Sequence, residues 1–426
     1  MQTHDDSRIA GVHMSKGTSN KWLTIGLTML IGLFVAYLDR SNLSIALTEM
    51  GVDLGFAGDA FISSSVVTAF TVGYALSNIF GGVLTRAMEP KKVCVATVAI
   101  WSIGTVATGF ISSVPLLYAF RILLGVCEGF YWPQMSRIIL AWFAPEERTR
   151  ANSIVQYYGQ FLALAVGFFI LTPIHDSFGW RVLFFITGAL GIVIVLPLYL
   201  KNLKPLGDSP FGSKIVPGKE DVKNKLTLEQ LGGSSFFLLL FAYFSQGMLF
   251  WGITLWIPTV VKALGFTGYM AGLLTGVPYL AAVLLAIPMT SISDKTGKRT
   301  QIAVSGMVVA GILLVAIALV SGNNVATIVL ITIAMGYYAS CFTPNIWTII
   351  QAYTAPEAVG VASGIVNGVG AGLGGTIAGY LVGLLYDATG SYVPGFATLG
   401  ALVIVGGVCL TLYGSINARR LAKKAE

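Results

Sequence analysis

Apolar runs of about 20 residues, the length a helix needs to cross a hydrocarbon core, recur along the whole chain. They are read at 22–47, 60–84, 93–113, 115–141, 151–173, 181–200, 234–261, 269–290, 300–321, 325–351, 359–385 and 395–416. Inside lipid every backbone N–H and C=O must be satisfied within the segment, so runs of this length predict helices. The pattern therefore predicts an all-α membrane protein with twelve transmembrane helices. The longest polar stretch, 201–233, carries six lysines together with Pro and Gly. It separates an N-terminal six-helix bundle (1–200) from a C-terminal one (234–426), with a linker between them.

The two bundles repeat one plan. Tyr131-Trp132-Pro133-Gln134 laid over Phe342-Thr343-Pro344-Asn345 gives an offset of 211 residues. Without a gap, Ala144-Pro145-Glu146 then falls on Ala355-Pro356-Glu357, Gln156 on Asn367 and Gly159 on Gly370. Two parallel six-span repeats place a binding site near the midplane between the halves, reached alternately from each side as they rock. Gly364, Gly368 and Gly372, then Gly375, Gly379 and Gly383, recur every four residues and are expected to be close-packing surface.

Composition agrees, with 55% hydrophobic and 11% charged residues and a mean hydropathy of +0.79. Lys and Arg sort by side. With the N-terminus inside, the inner segments hold Arg8, Lys16, Lys21, Arg86, Lys91, Lys92, Arg148, Arg150, the linker lysines, Lys295, Lys298, Arg299 and the C-terminal cluster; the outer ones hold only Arg181 and Lys262. The positive-inside rule makes both termini cytoplasmic. The net charge of +7 reflects this bias and argues against nucleic-acid binding. The first run is too long for a signal-peptide core and lacks a cleavage site, so it is expected to be retained. Cys94, Cys127, Cys341 and Cys409 are scattered singly, which predicts reduced thiols and neither a disulfide framework nor a metal site. His4, His13 and His175 fall outside the spans. No cofactor or enzymatic chemistry is expected.

Four ionisable residues interrupt the spans: Asp39 and Arg40 in the first, Arg121 and Glu128 in the fourth. A charge at mid-bilayer costs roughly 2.5–3.5 kcal/mol on insertion scales, so such residues pair or line a watery path. The second half has no counterpart. Arg121 and Glu128 are seven apart and share a helix face, either as a structural ion pair or as a proton-exchanging carboxylate restrained by its arginine. Asp39 and Arg40 point about 100° apart and are expected to engage different partners. Arginine's planar fork matches a carboxylate, which makes Arg40 the first choice for a substrate anchor. Tyr37 lies one turn from Arg40. Tyr74 and Asn78 on span two, and Asn152, Gln156 and Gln160 on span five, add polar groups. Across the interface Gln246, Tyr279, Asn345, Trp347 and Asn367 add hydrogen bonds and flat surfaces without charge. Loop or snorkelling contacts account for Arg137, Arg148 and Arg150.

Ser293-Asp294-Lys295-Thr296-Gly297-Lys298-Arg299 matches the D-[RK]-x-G-x-[RK] loop pattern of the major facilitator superfamily. At the corresponding place in the first half, Arg86 stands where the pattern has Asp and Glu89 where it has Gly. Tyr37-Leu38-Asp39-Arg40-Ser41-Asn42-Leu43-Ser44-Ile45-Ala46 resembles the first-helix signature of the superfamily's anion:cation symporter family. Arg121 and Glu128 resemble its fourth-helix pair; Gly159-Gln160-Phe161 and the segment from Asn367 to Leu373-Gly374-Gly375 also resemble family segments. The likeness covers essentially all spans and is greatest to bacterial sugar-acid/proton symporters. It implies the major facilitator fold, Asp39 and Glu128 as proton-coupling acids, and Arg40 as the ligand of the substrate carboxylate. It further implies Arg121 as partner of Glu128, and Tyr37, Tyr74, Gln160, Trp347 and Asn367 in the substrate pocket. The expectation is a monomeric, multi-pass protein of a bacterial inner membrane that imports a small organic anion, an aldonate or hexuronate, with protons. Carriage of another organic anion such as a sulfonate, an anion exchanger without proton coupling, and a non-transporting receptor are the alternatives.

Overall fold

The computed structural model describes residues 21–212, 226–266, 268–320 and 323–425. His4, His13, Arg8, Lys16 and the linker residues Lys214, Lys219, Lys223 and Lys225 lie outside the described residues. Among the described residues all regular structure is helical. The first half comprises α1 (Trp22–Leu54), α2 (Ala60–Leu84), α3 (Pro90–Thr108), α4 (Val114–Trp142), α5 (148–178) and α6 (180–202). The second comprises α7 (Phe236–Ala263), α8 (Gly268–Thr296), α9 (Arg299–Val320), α10 (Asn324–Tyr353), α11 (Pro356–Thr389) and α12 (Val393–Ala425).

Helix ends overshoot the apolar runs where a polar turn can project beyond the apolar layer. The α1 helix continues seven residues past Leu47, through Glu49 and Asp53, and stops at Gly55 in the left-handed conformation (φ +79°). Between α5 and α6 the chain turns without a loop. Gly179 adopts φ +77°, ψ 171°, a backbone state that suits glycine. Gly159 and Gly167 on one side of it face α1, whereas Gly188 and Gly191 on the other face α3, so the chain reverses there. His175, expected between spans, occupies the last turns of α5 instead, because the helix runs on to this glycine.

The duplication reappears in backbone irregularities. Pro133 in α4 and Pro344 in α10 sit inside helices at the same offset, as do the short 3₁₀ turns Pro145–Glu147 and Pro356–Ala358. Both α5 and α11 then widen into a π-turn, over Ser153–Tyr158 and Gly368–Gly374. The halves meet along α2 with α11 and α5 with α8. The two glycine rows on α11 divide this work. A Cβ on Gly364 or Gly368 would press on the α2 backbone at Asn78 or Ala75, and one on Gly372 on Ala75 itself. Gly375, Gly379 and Gly383 instead face Trp251, Leu255 and Trp256 of α7.

Candidate functional site

The α1 helix presents Asp39 and Arg40 in different directions, as adjacent helical positions must be. Arg40 reaches α4: its Nε donates to Glu128 Oε2 at 2.6 Å, and its Nη2 contacts the same oxygen. Its guanidinium carbon lies 4.2 Å from the Tyr37 ring centroid, 4.8 Å from Tyr74 and 5.1 Å from Phe70. A fork held by one carboxylate and three aromatic faces has little freedom left. Glu128 is 2% exposed, and Gly125 and Gly129 on either side let α4 approach the α2 backbone at Phe70, Tyr74 and Asn78. Its other oxygen, Oε1, has no hydrogen-bond partner.

Of the two expected forms of the Arg121–Glu128 pairing, the direct ion pair is not formed, although the two charges stay within electrostatic reach. Arg121 does not hydrogen-bond Glu128; its Nε and Nη1 are buried without a partner, and its guanidinium rests 5.1 Å from the Phe70 ring. Seven residues amount to about 10.5 Å of helical rise, so a direct bond would need both side chains stretched toward each other along the helix. Glu128 instead turns across to α1. Phe70 is left with a guanidinium from each helix.

Asp39 points the other way, into the interior of the first half, and is fully buried. Neither carboxylate oxygen has a hydrogen-bond partner in place. Thr187 of α6 stands within hydrogen-bonding reach of it, but as placed that hydroxyl is directed to the Phe184 carbonyl at 3.4 Å and receives Asn42 Nδ2 at 3.0 Å.

Two cavities converge on this constellation from one side. The larger, about 1120 Å³, runs from Tyr37 and Arg40 past Ser41 and Ser44 to Asp176, Pro258 and Gly272 at the helix ends remote from Arg148 and Arg299. Beneath it a small cavity of about 30 Å³ is bounded by Tyr37, Tyr74, Gln160, Tyr243, Gln246 and Asn367, with other aromatic side chains. Asn367 bridges the halves: its Nδ2 donates to Tyr74 Oη (2.7 Å) and Asn78 Oδ1 (3.0 Å), and its Oδ1 accepts from Tyr243 Oη (3.3 Å). Tyr338 donates to Gln246. Trp347 stands one layer behind, fully buried, its ring 5.3 Å from Tyr243 and 5.7 Å from Trp132. Tyr37, Arg40, Tyr74, Gln160 and Asn367 are thus brought to the cavity walls; Asp39, Arg121, Glu128 and Trp347 are not among the lining residues. Tyr243, Tyr338, Trp132 and Trp251 escaped the sequence reading. Tyr243 precedes Gln246 by three residues on one α7 face, the one available signal.

The lysine- and arginine-rich end is closed. Asp294 Oδ2 accepts from the backbone N–H of Arg150 (2.9 Å) and Oδ1 from that of Thr149 (3.3 Å), capping the start of α5 across the interface. Arg299 adds bonds to Thr149 Oγ1 (3.2 Å) and the Pro145 carbonyl (2.5 Å). Above them Asn152 donates to Thr348 (3.0 Å) and Gln351 (3.1 Å) on α10. In the first half Arg137 gathers the loop after α2 by its carbonyls, at Thr85 (3.2 Å), Arg86 (3.3 Å) and Met88 (3.0 Å).

Known proteins extend this picture. The sequence model of the Major Facilitator Superfamily matches residues 29–367 and 259–426. The probable galactarate/D-glucarate transporter GudP of Escherichia coli is 27% identical, covering 93% of this chain and 92% of its own. The probable sulfoacetate transporter SauU of Cupriavidus necator is 28% identical over 67% of this chain and 68% of its own. The D-galactonate transporter of E. coli is 25% identical over 82% and 86%. Among solved structures, the proton:xylose symporter XylE superposes with a TM-score of 0.75 at 14% identity, covering 92% of this chain and 95% of XylE. The human organic anion transporter MFSD10 superposes at 0.72 and 15% identity, over 91% and 99%. At such identities the structures speak for the fold alone. The sequence match across both halves and the helical fold agree: this chain is a multi-pass membrane transporter of small organic solutes and belongs to the Major Facilitator Superfamily.

Proposed function

We propose that this transporter imports a small organic anion, a sugar acid of the aldonate or hexuronate class, together with protons. The observation that carries the reading is the Arg40–Glu128 pair, held among aromatic rings with Arg40 on the wall of the large cavity and Glu128 behind it. In this state Glu128 occupies the guanidinium that a substrate carboxylate would need. An incoming anion competes for Arg40, and a displaced, still-charged Glu128 would be left in a low-dielectric site at a cost of several kcal/mol. Protonation removes that cost. Anion binding and proton uptake at Glu128 therefore favour one another, which is the linkage a symporter requires. Asp39, buried and unpartnered as an anion, serves as the second proton carrier. Arg121 keeps the local charge balanced while Glu128 is ionised.

Tyr37, Tyr74, Gln160 and Asn367, with Tyr243 and Gln246, offer hydroxyls and amides to a polyhydroxylated chain, and Trp347 backs the wall they form. This favours a sugar acid over a sulfonate without hydroxyls. The basic end faces the cytoplasm of a bacterial inner membrane, by the positive-inside bias, so the large cavity opens outward and the Asp294 latch seals the inner side. The carrier acts as a monomer, each chain containing both halves of its site.

The test is uptake into proteoliposomes by wild type and Glu128→Gln, with a radiolabelled aldonate, an imposed pH gradient and, separately, counterflow. Loss of gradient-driven accumulation with counterflow retained is expected. Full gradient-driven uptake by the variant would remove Glu128 from coupling. Wild-type counterflow with no response to a pH gradient would instead make the protein an anion exchanger.

A further inference from the structure

Asp39 lies away from the cavity, so its proton cannot be governed by contact with the substrate; the groups packed around it must set when it is held. The charged groups facing it are Glu128 and Arg121, both from α4, while α6 contributes Thr187 and no charge. Asp39, Asn42 and Thr187 are all fully buried. Asp39 and Asn42 are three residues apart on α1 and share a face. Asn42 Nδ2 donates to Thr187 Oγ1 at 3.0 Å, which leaves Asn42 Oδ1, an acceptor, buried with no donor. The hydroxyl proton of Thr187 is only loosely committed, at 3.4 Å, to the Phe184 carbonyl of its own helix. Two carboxylate oxygens without donors thus share a helix face with one acceptor without a donor, and a weakly held hydroxyl stands next to them on α6. A buried polar atom left in that condition is costly and calls for a reason.

We propose that Asn42 and Thr187 are positioning residues that complete a two-state proton-holding site at Asp39. When Asp39 is ionised, the Thr187 hydroxyl rotates to donate to the carboxylate. When Asp39 takes up a proton, the acid O–H donates to Asn42 Oδ1, and Thr187 turns back to the Phe184 carbonyl. Each state then satisfies a group that the other leaves open, and the exchange needs one hydroxyl rotation and no movement of backbone. The Asn42–Thr187 bond keeps α1 and α6 in register, so the site persists while the cavity changes shape.

The inference rests on the reading of Asp39 as a proton carrier, and its test needs no transported substrate. The full chain in lipid is titrated by infrared difference spectroscopy, following the C=O stretch of protonated carboxyl groups; the Asp39 band is the one that Asp39→Asn removes. Thr187→Val loses the donor to the anion, and the midpoint of that band is expected to move alkaline by about one pH unit, a tenfold gain in proton affinity. Asn42→Ala loses the acceptor for the acid, and its midpoint is expected to move to acid. Thr187→Ser retains the hydroxyl and the wild-type midpoint. Opposite displacements by neighbouring substitutions are not what loosened packing gives. An Asp39 band whose midpoint is the same in Thr187→Val and wild type overturns the proposal while leaving Asp39 a proton carrier. Should Thr187→Val not fold, an Asn42→Ala midpoint that stays put or moves alkaline overturns it equally. With no Asp39-dependent band at any pH, both this inference and the role of Asp39 fall, whereas coupling through Glu128 is judged separately by uptake.

Discussion

Arg40 makes two kinds of contact at once, a fork on one carboxylate oxygen and flat faces on three rings. A lysine supplies the charge but neither the planar fork nor the stacking surface. Arg40→Lys is therefore expected to weaken anion binding by roughly tenfold or more, about 1.4 kcal/mol. Isothermal titration with the best ligand from a thermal-shift screen of sugar acids measures it, and an unchanged Kd would rule out Arg40 as the anchor. The glycines around Glu128 give a packing prediction. A Cβ on Gly129 would lie 2.7 Å from the Tyr74 carbonyl and 3.0 Å from Asn78 N, backbone atoms that cannot step aside. Gly129→Ala is expected to cost about 1–3 kcal/mol and lower Tm, while Gly207→Ala, with nothing within 4 Å, leaves Tm unchanged. Equal Tm values for the two variants would contradict this. The identity of the four buried charges was legible in the sequence, because each interrupts an apolar run. Their pairing was not: the Arg40–Glu128 bond joins residues 88 apart, and the rotation of α4 that turns Glu128 toward α1 is set by glycine packing on α2.

At the scale of helices, the two halves close the basic end by different means. Asp294 caps the first N–H groups of α5 at Thr149 and Arg150. The 211-residue offset carries those positions to Gly360 and Val361 at the start of α11, and in the loop-motif register the place of Asp294 is taken in the first half by Arg86. There the contact is steric: a Cβ on Gly82 would come within 2.6 Å of the Gly360 carbonyl oxygen and 2.5 Å of the Val361 Cα. The charged contacts of closure thus gather on one side, at the Asp294 cap and the Arg299 bonds beside it. Asp294→Ala removes the cap, and hydrogen bonds to a charged group are worth about 1.5–3 kcal/mol, so the inward-closed population is expected to fall by on the order of tenfold. Spin labels on the basic ends of α4 and α10 read this as a longer distance; an unaltered distance distribution would show that steric contact suffices. The second-half loop was recognisable from its motif. Its receptor at α5 was not, because a backbone N–H leaves no mark in a sequence. The Gly82 contact was equally silent, one glycine among 50.

Across the whole molecule, duplication made the architecture readable, and departure from duplication assigns the labour. Six spans repeat six, yet the buried charges sit in one half: Glu128 and Arg121 fall on Ala339 and Thr332 at the offset, and nothing acidic stands near Phe250 to match Asp39. What the second half gives to the inner cavity is neutral, with Tyr243, Gln246, Tyr338 and Asn367 linked by hydrogen bonds. Neutral groups can distinguish one hydroxylated anion from another but cannot carry a proton at physiological pH. Substitutions such as Tyr338→Phe and Gln246→Ala should therefore change apparent affinity, and the ranking of competing sugar acids, by several-fold. They should leave the pH at half-maximal uptake and the proton-to-anion ratio where they are in wild type. Asp39→Asn and Glu128→Gln should shift the pH dependence and the ratio while leaving the ranking of competing sugar acids where it is. The ratio is measurable from reversal potentials, since each net charge moved across 100 mV is worth about 2.3 kcal/mol: one proton per monoanion gives no voltage dependence, and two give one charge's worth. A second-half variant that displaced the reversal potential would mean that coupling is spread over both bundles, and the division drawn from the missing charges would fail. If the reversal potential is instead unmoved while substrate ranking changes, selectivity and coupling reside in different halves of one duplicated fold.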